Sequence, residues 1–317
     1  MFFLWASYVS AGDLMKTFRK TCMFLLLCGC LIWFLADAVH LRTAATDALS
    51  LCAHSVIPAL FPFLVVSSLL VSLGFGAWAA PLFSGLMTPL FHLPGQAGSA
   101  LLIGLVAGYP LGTRTAADLY QKGSLTRDET ERLLCFCNNS NPVFLINVLG
   151  LGVFRDIRMG LWLWLIHIGS ALLTGLLCRS KRSSSREIPR PVVSQPTFPS
   201  AFVSAVRDSA AGMLSICAFV TLFYTLASPF SMLKSPFGPL LVGCLELFSL
   251  TPLLSADAVS FVLAAACSGF GGLSVLCQTA AVLDGTGLSL RPCLLGKLLQ
   301  GLCSALLAML LIPRLFS

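Results

Sequence analysis

Apolar residues run along this chain in blocks, and proline, glycine and polar residues cut the blocks at particular places. Three blocks are the cleanest and are close to the roughly 20 residues a helix needs to cross a bilayer. They are Thr21 to Val39, Gly160 to Cys178 and Leu294 to Ile312, and each predicts a spanning helix. Leu49 to Phe75 is as long but contains Pro58 and Pro62. A proline lacks the backbone donor and clashes with the preceding turn, so a kink or break is expected there. Ala77 to Leu93, with Pro81 and Pro89, is too broken for a simple crossing. Gly98 to Ala107 is half a span long and stops at Gly108-Tyr109-Pro110. Arg114 to Arg132 then turns polar and amphipathic, and Thr126 with Glu129 three residues on predicts a capping box. The next apolar block, "LLCFCNNSNPVFLINVLGLGVF", is interrupted at Asn138 to Pro142.

The second half repeats this style. Ala201 to Ala227 and Pro239 to Leu254 are apolar, followed by "AVSFVLAAACSGFGGLSVLCQTAAVLDGTGLSLRPCLLGKLL" and the final span. Between the halves, Arg179 to Pro199 is basic, rich in Ser and Pro, and without apolar periodicity, which predicts a linker. Met1 to Phe18 is apolar but short, an interfacial helix or part of the first span. No small-residue cleavage site follows Val39, so that span reads as retained. The expected organisation is 1–44 as N-terminal segment and first helix, 45–178 as a first repeat, 179–199 as linker and 200–317 as a second repeat. Eight to ten full crossings are expected, since re-entrant hairpins imitate spans.

Composition fixes the class. Of 317 residues, 57% are hydrophobic and 10% charged, against about 25% charged in soluble domains. The mean hydropathy is +0.89. The chain is an all-α integral membrane protein, a polytopic bundle in contact with lipid. Its net charge of +7 does not indicate nucleic acid. The basic residues Arg179, Lys181, Arg182, Arg186 and Arg190 follow one span and Lys16, Arg19 and Lys20 precede another, which marks both sides as cytoplasmic by the positive-inside rule. The thirteen cysteines form no Cys-x-x-Cys pair, and the histidines His40, His54, His92 and His167 lack ligand spacing. No metal and no cofactor are expected.

The interruptions occur in matching order in the two halves. "AGYPLGTRTAADLYQKGSLT" and "SGFGGLSVLCQTAAVLDGTGLS" align Gly108 with Gly269, Tyr109 with Phe270 and Thr113 with Ser274. "SVIPALFPFLVVSSLL" and "SAAGMLSICAFVTLFY" precede them in equivalent places. Paired Gly/Pro-interrupted segments in two halves point to a secondary transporter's binding site. A helix broken inside a bilayer bares backbone groups that lipid cannot satisfy, so the break must face protein, water or solute. The competing reading is that the glycines only allow close helix packing.

The stretches "GYPLGTRTAADL", "ERLLCFCNNSNPVFL", "CLELFS" and "SGFGGLSVLCQ" resemble the sporulation integral membrane protein YlbJ family, within the wider group carrying nucleoside-recognition Gate domains. The resemblance covers roughly residues 45 to 312. It departs from the family pattern at "LELFSL" and at Leu276. What it implies is a transporter-like fold of inverted repeats with re-entrant hairpins and a role in late sporulation. The implied solute is dipicolinate, carried across a forespore membrane. The site it implies is Gly108, Tyr109, Pro110, Arg114, Asn138, Asn139, Ser140 and Asn141 in the first half, with Glu246, Gly269, Gly271, Gly272, Ser274 and Gln278 in the second.

Several roles can be read from the residues themselves. Glu246, within the apolar run Leu240 to Leu250, suits coupling to a proton or cation, or a structural pairing. Arg114 suits bidentate pairing with a carboxylate, or an interfacial position. Asp208 and Asp257 read as solvated caps. A carrier for a small anionic or heteroaromatic solute is the leading expectation, with a nucleoside-type solute as alternative. A membrane enzyme would need a convergent nucleophile, base or metal set, and none is visible, so no enzymatic activity is expected. A spore-membrane scaffold using residues 179–199 as a docking arm remains open, as do the oligomeric state, a homo-oligomer included, and the coupling ion.

Overall fold

The computed structural model describes residues 11–180, 197–231, 233 and 237–316. The start of the expected interfacial segment and most of the basic linker, 181–196, lie outside the described residues. All secondary structure among the described residues is helical. The chain divides into two compact units, Met1–Asp47 and Ala48–Ser317.

The first unit holds α1 (Ala11–Ala36) and, after a turn at Asp37, the start of α2 (Ala38–Leu51). Its apolar part, Thr17–Ala36, is long enough to span a membrane. The expected first span, Thr21 to Val39, is therefore displaced toward the N-terminus, because Asp37 interrupts the helix.

In the second unit, a π-helical turn, Cys52–Val56, comes directly before Pro58, and the chain resumes as α3 (Ile57–Ser72). Next come α4 (Phe75–Leu86), α5 (Ala97–Ala107), α6 (Leu111–Gln121) and α7 (Arg127–Leu133). The predicted capping box opens α7: Thr126 Oγ1 accepts from Glu129 N–H, and the Glu129 carboxylate accepts from Thr126 N–H at 2.8 Å. An irregular connection over 134–142 leads into a π-helical segment, Phe144–Val153, and α8 (Ile157–Leu177) closes the first half. The second half comprises α9 (Phe198–Ser231), α10 (Gly238–Leu245), α11 (Leu247–Leu250), α12 (Ala258–Phe270), α13 (Gly272–Leu283) and α14 (Arg291–Leu315).

Among the described residues, five stretches are long and apolar enough to cross a membrane: Thr17–Ala36, α8, α9, Ala258–Leu283 and α14. A sixth is added if Ala38–Val56 and Leu60–Leu70 form one bent span. That is fewer than the eight to ten expected. Ala80–Phe91, Ala97–Ala107 and Phe144–Val153 are apolar helices of only 10–17 residues. Pro239 to Leu254 is cut at Glu246 into α10 and α11.

The two main breaks differ in shape. At Gly108, with φ of +87°, α5 ends and α6 folds back to pack against it, a hairpin. At Gly271, with φ of +86°, α12 passes into α13, and Ala258–Leu283 still qualifies as a single span. The left-handed glycine that answers Gly108 is thus Gly271 and not Gly269, which lies inside α12.

Helices in matching places of the two halves pack on each other: α3 on α9, α6 on α13 and α8 on α14. The connection over 134–142 is seated by glycine. A Cβ on Gly104 of α5 or on Gly112 of α6 would collide with the Cys137 carbonyl, and one on Gly296 of α14 with the Cys135 backbone. Around it α14 is turned inside out relative to a soluble helix. Leu295, Leu302, Leu306 and Leu310 are exposed, whereas Cys293, Lys297, Gln300 and Ser304 are fully buried. Lipid is a good solvent for the leucines and none at all for the polar face, which must find partners inside the protein.

Candidate functional site

Two adjoining cavities lie where the breaks converge. The larger, about 160 Å3, is lined by Pro110, Arg114, Asp208, Ser209, Gln278 and apolar residues of α3, α9 and α13. The smaller, about 30 Å3, is lined by Tyr109, Asn141, Glu246, Phe248, Ser274 and Gln278 among others. Gln278 and Ile216 border both.

Each polar wall residue is positioned by a local break in the chain. Gly108 turns the chain so that Tyr109 leaves the helix, and the Tyr109 hydroxyl hydrogen-bonds Ser140 Oγ at 2.8 Å. A Cβ on Gly108 would meet Asn141 at 2.9 Å, so the hairpin tip and the 134–142 connection fit only with glycine there. Asn141 Oδ1 accepts from Phe144 N–H at 2.7 Å and starts the π-helical segment. Pro110 follows a cis peptide bond and opens α6, which carries Arg114 one turn on. On α13, Gln278 Nε2 donates to Ser274 Oγ at 3.3 Å, and Gln278 Oε1 is buried without a protein partner. That oxygen is an acceptor at the boundary of both cavities.

Glu246 is the least expected wall residue in its geometry. The carboxylate is buried and caps α11, with Oε2 accepting from Ser249 N–H at 2.6 Å and from the Ser249 hydroxyl at 2.8 Å. The structural pairing is therefore present, and the same group borders the smaller cavity. Glu246→Ala is expected to destabilise the protein by about 1–2 kcal/mol, the usual cost of losing a cap. Glu246→Gln retains an acceptor and is expected to lose less than half of that. Thermal unfolding of the detergent-solubilised variants checks both.

Arg114 is half-exposed at the mouth of the larger cavity and stands 3.8 Å from Asp208. Asp208 is not a cap, as expected from the sequence, but a mid-helix residue of α9 facing that arginine. Asp257 is a cap: its Oδ1 accepts from Ser260 N–H at 2.8 Å at the start of α12.

Behind the cavities lies a second polar layer with no counterpart among the expected site residues. Asn138, Asn139 and Ser140 face it rather than the open space, each at most 1% exposed. Asn138 Nδ2 donates to Thr279 Oγ1 on α13 at 2.8 Å, and Asn139 Nδ2 to Phe136 O at 2.8 Å. Ser140 N–H donates to His167 Nε2 of α8 at 3.0 Å. From α14, Gln300 Nε2 donates to Asn139 Oδ1 at 2.9 Å, and Lys297 Nζ donates to Asn138 O and to Gln300 Oε1, both at 2.8 Å. Lower on the same helices, Ser304 Oγ donates to Ser170 Oγ at 2.8 Å.

Sequence reading missed Lys297, Gln300 and the role of His167. A signal was available: Cys293, Lys297, Gln300 and Ser304 recur every three or four positions on one face of an otherwise apolar helix. His167 carried none, being a single polar residue in α8 whose partners lie far away in sequence.

The expected glycines divide. Gly271 faces the Lys297 side chain and Gly272 the Gly243 and Leu245 carbonyls, both at positive φ. Gly269 packs against Gln300, Gly301 and Ser304 of α14, so it serves helix packing and no cavity. Among the described residues there is no group of three or more His, Cys, Asp or Glu able to hold a metal.

Residues 53–155 match the Gate family model, described as nucleoside recognition. That region holds the α5–α6 hairpin and the 134–142 connection. The sporulation integral membrane protein YlbJ of Bacillus subtilis (strain 168) is 29% identical over 324 residues, covering 86% of this chain and 78% of that protein. No solved structure matches. The likeness carried by the sequence motifs thus extends over most of the chain, a multi-pass integral membrane protein that is similar to YlbJ and whose residues 53–155 resemble the Gate family.

Proposed function

We propose that this protein is a carrier for a small, planar, anionic solute in a sporulating bacterium, with dipicolinate across a forespore membrane as the leading candidate. The observation that carries the reading is the pair of cavities at the convergence of the α5–α6 hairpin, the Glu246 break and α13. Mostly apolar walls that carry Arg114, Gln278 and Glu246 at helix breaks place a few polar groups where lipid cannot satisfy them. Its walls offer a guanidinium at the mouth and the amide of Gln278 deeper in, which suit carboxylates at the edge of an aromatic ring. Ile216, Val220 and Phe248 provide flat apolar contact.

The pairing of α3 with α9, α6 with α13 and α8 with α14 supports a two-fold related pair of repeats, the arrangement around which carriers rock. The sporulation role rests on the name of the Bacillus subtilis relative. A nucleoside-type solute is the second reading, favoured by the description of the Gate family. The cavity volume of about 160 Å3 weighs against it, being below the roughly 300 Å3 at which sites for larger ligands begin.

Uptake of dipicolinate and of uridine into proteoliposomes separates the two. Arg114→Ala is expected to lower dipicolinate uptake at least about tenfold, equivalent to about 1.4 kcal/mol. Asp208→Asn removes the residue that competes for Arg114 and is expected to raise it. Dipicolinate uptake unchanged in Arg114→Ala and in Gln278→Ala would remove this site.

A further inference from the structure

The amine of Lys297 is fully buried in the second turn of α14 and unaccounted for by the cavities in front of it. No described carboxylate lies within 4 Å of Nζ; ion pairs among the described residues include Arg114–Asp208, Arg127–Glu131, Arg132–Asp128 and Arg207–Asp208. Its partners are two neutral oxygens, Asn138 O and Gln300 Oε1. Uncompensated charge at such depth is expensive, and residues of this kind mark ion or proton pathways in membrane proteins.

The surrounding hydrogen bonds fix the protonation pattern. Phe136 O accepts from Asn139 Nδ2, so Asn139 Oδ1 must face Gln300 Nε2, and Gln300 Oε1 must face the amine. A backbone N–H can only donate, so His167 Nε2, which receives Ser140 N–H, carries no proton and the ring is neutral. A neutral amine has two N–H groups, and two acceptors are present. An ammonium needs a third. Thr279 Oγ1 donates to Val275 O and so accepts from Asn138 Nδ2, which turns Asn138 Oδ1 the other way. That oxygen is buried and without a partner, on the same residue whose carbonyl already binds the amine.

We propose that Lys297 is a proton-binding site: hydronium delivers a proton to the Nζ lone pair and leaves as water, the new N–H is taken up by Asn138 Oδ1, and release reverses both. Resting on the carrier reading, the loaded proton offsets the negative charge of the solute as it crosses. Solute binding reaches the amine through α13, since Gln278 and Ser274 line the cavities while Thr279, next in the helix, holds Asn138.

The other titratable groups near the amine are few. Cys293 shares its helix, Cys137 lies in the connection and His167 on α8. From α12 comes the glycine face of Gly269, and α7 directs Glu131 to Ser289 N–H instead. None of them supplies a compensating negative charge as a neutral thiol, a neutral ring or a carboxylate bound elsewhere.

The test uses the full chain in lipid nanodiscs with 13Cε-labelled lysine. One lysine signal is expected to resist broadening by a water-soluble paramagnetic agent, to move between about pH 5 and about pH 9, and to be missing from Lys297→Gln. A protected signal that stays fixed over that range overturns the proposal, and this arm needs no variant to fold. In proteoliposomes, the ratio of pH-gradient-driven dipicolinate uptake to dipicolinate exchange at equal pH is expected to fall at least about tenfold in Lys297→Gln and Lys297→Met. An unchanged ratio in both overturns the coupling. A moving signal in a protein that carries neither dipicolinate nor uridine leaves the proton site standing and removes the carrier reading.

Discussion

Gln300→Leu is expected to lower the thermal unfolding midpoint by about 10 °C or more, the largest loss of any single polar substitution in α14. The leucine fits a helix facing an apolar bundle, and its own transfer from water favours burial. Its cost lies in what Gln300 leaves behind. Asn139 Oδ1 loses its donor, Lys297 loses one of two acceptors, and His167 loses a further contact at 3.4 Å. Each such loss costs at most about 1–3 kcal/mol, so the three sum to about 3–9 kcal/mol as an upper range. Leu302→Ala, two residues further along and exposed to lipid, is the control expected to change little. If Gln300→Leu melts within about 2 °C of wild type, the network contributes nothing net and water or a rotamer change satisfies its members.

The second large effect concerns one carbonyl group. Gly112→Ala and Gly104→Ala are each expected to destabilise the protein by about 3 kcal/mol or more, above the usual overpacking cost of about 1–3 kcal/mol. An ordinary small-to-large change in a core is absorbed when a flexible side chain moves aside. Here the added methyl meets backbone, the Cys137 carbonyl in both cases, and it also closes on the opposing glycine at 3.0–3.2 Å. Neither helix can retreat, because α5 and α6 pack on each other through these same two positions. Gly85→Ala in α4 is the matched control: nothing lies within 4 Å of its Cβ, and alanine is the better helix former by about 1 kcal/mol. Recovery of folded monodisperse protein and its melting midpoint distinguish the three variants.

What could be read from the sequence was what glycine, proline and capping residues announce locally. The stop at Gly108–Pro110, the interruption at Asn138–Pro142, a break within Gly269–Gly272 and the Thr126–Glu129 box all follow from backbone chemistry within a few residues. The membrane class followed from composition. Other features depended on partners far along the chain. Gly269 and Gly271 are both plausible breaks in sequence, and only the packing of Gly269 against α14 decides between them. Asp208 looked like a cap until α9 proved to run unbroken past it to face Arg114. Lys297 reaches Asn138 across 159 positions and Gln300 reaches His167 across 133, so neither link has any local signature. The polar character of the Asn138–Ser140 cluster is legible in the sequence, but its direction, toward α14 and α8 rather than the open space, is a property of the assembled bundle.

The glycine seats around residues 134–142 also set a mechanical limit. Where side chains meet side chains, two elements can slide by exchanging rotamers, and α3 and α9 meet the cavity in that way through Leu64, Ile216 and their neighbours. The connection enjoys no such slack, since α5, α6 and α14 touch its main chain directly at Gly104, Gly112 and Gly296. Moving it would require three helices to part at once. For the carrier proposed above, it serves as the fixed point against which the side-chain-lined wall of α3 and α9 would move.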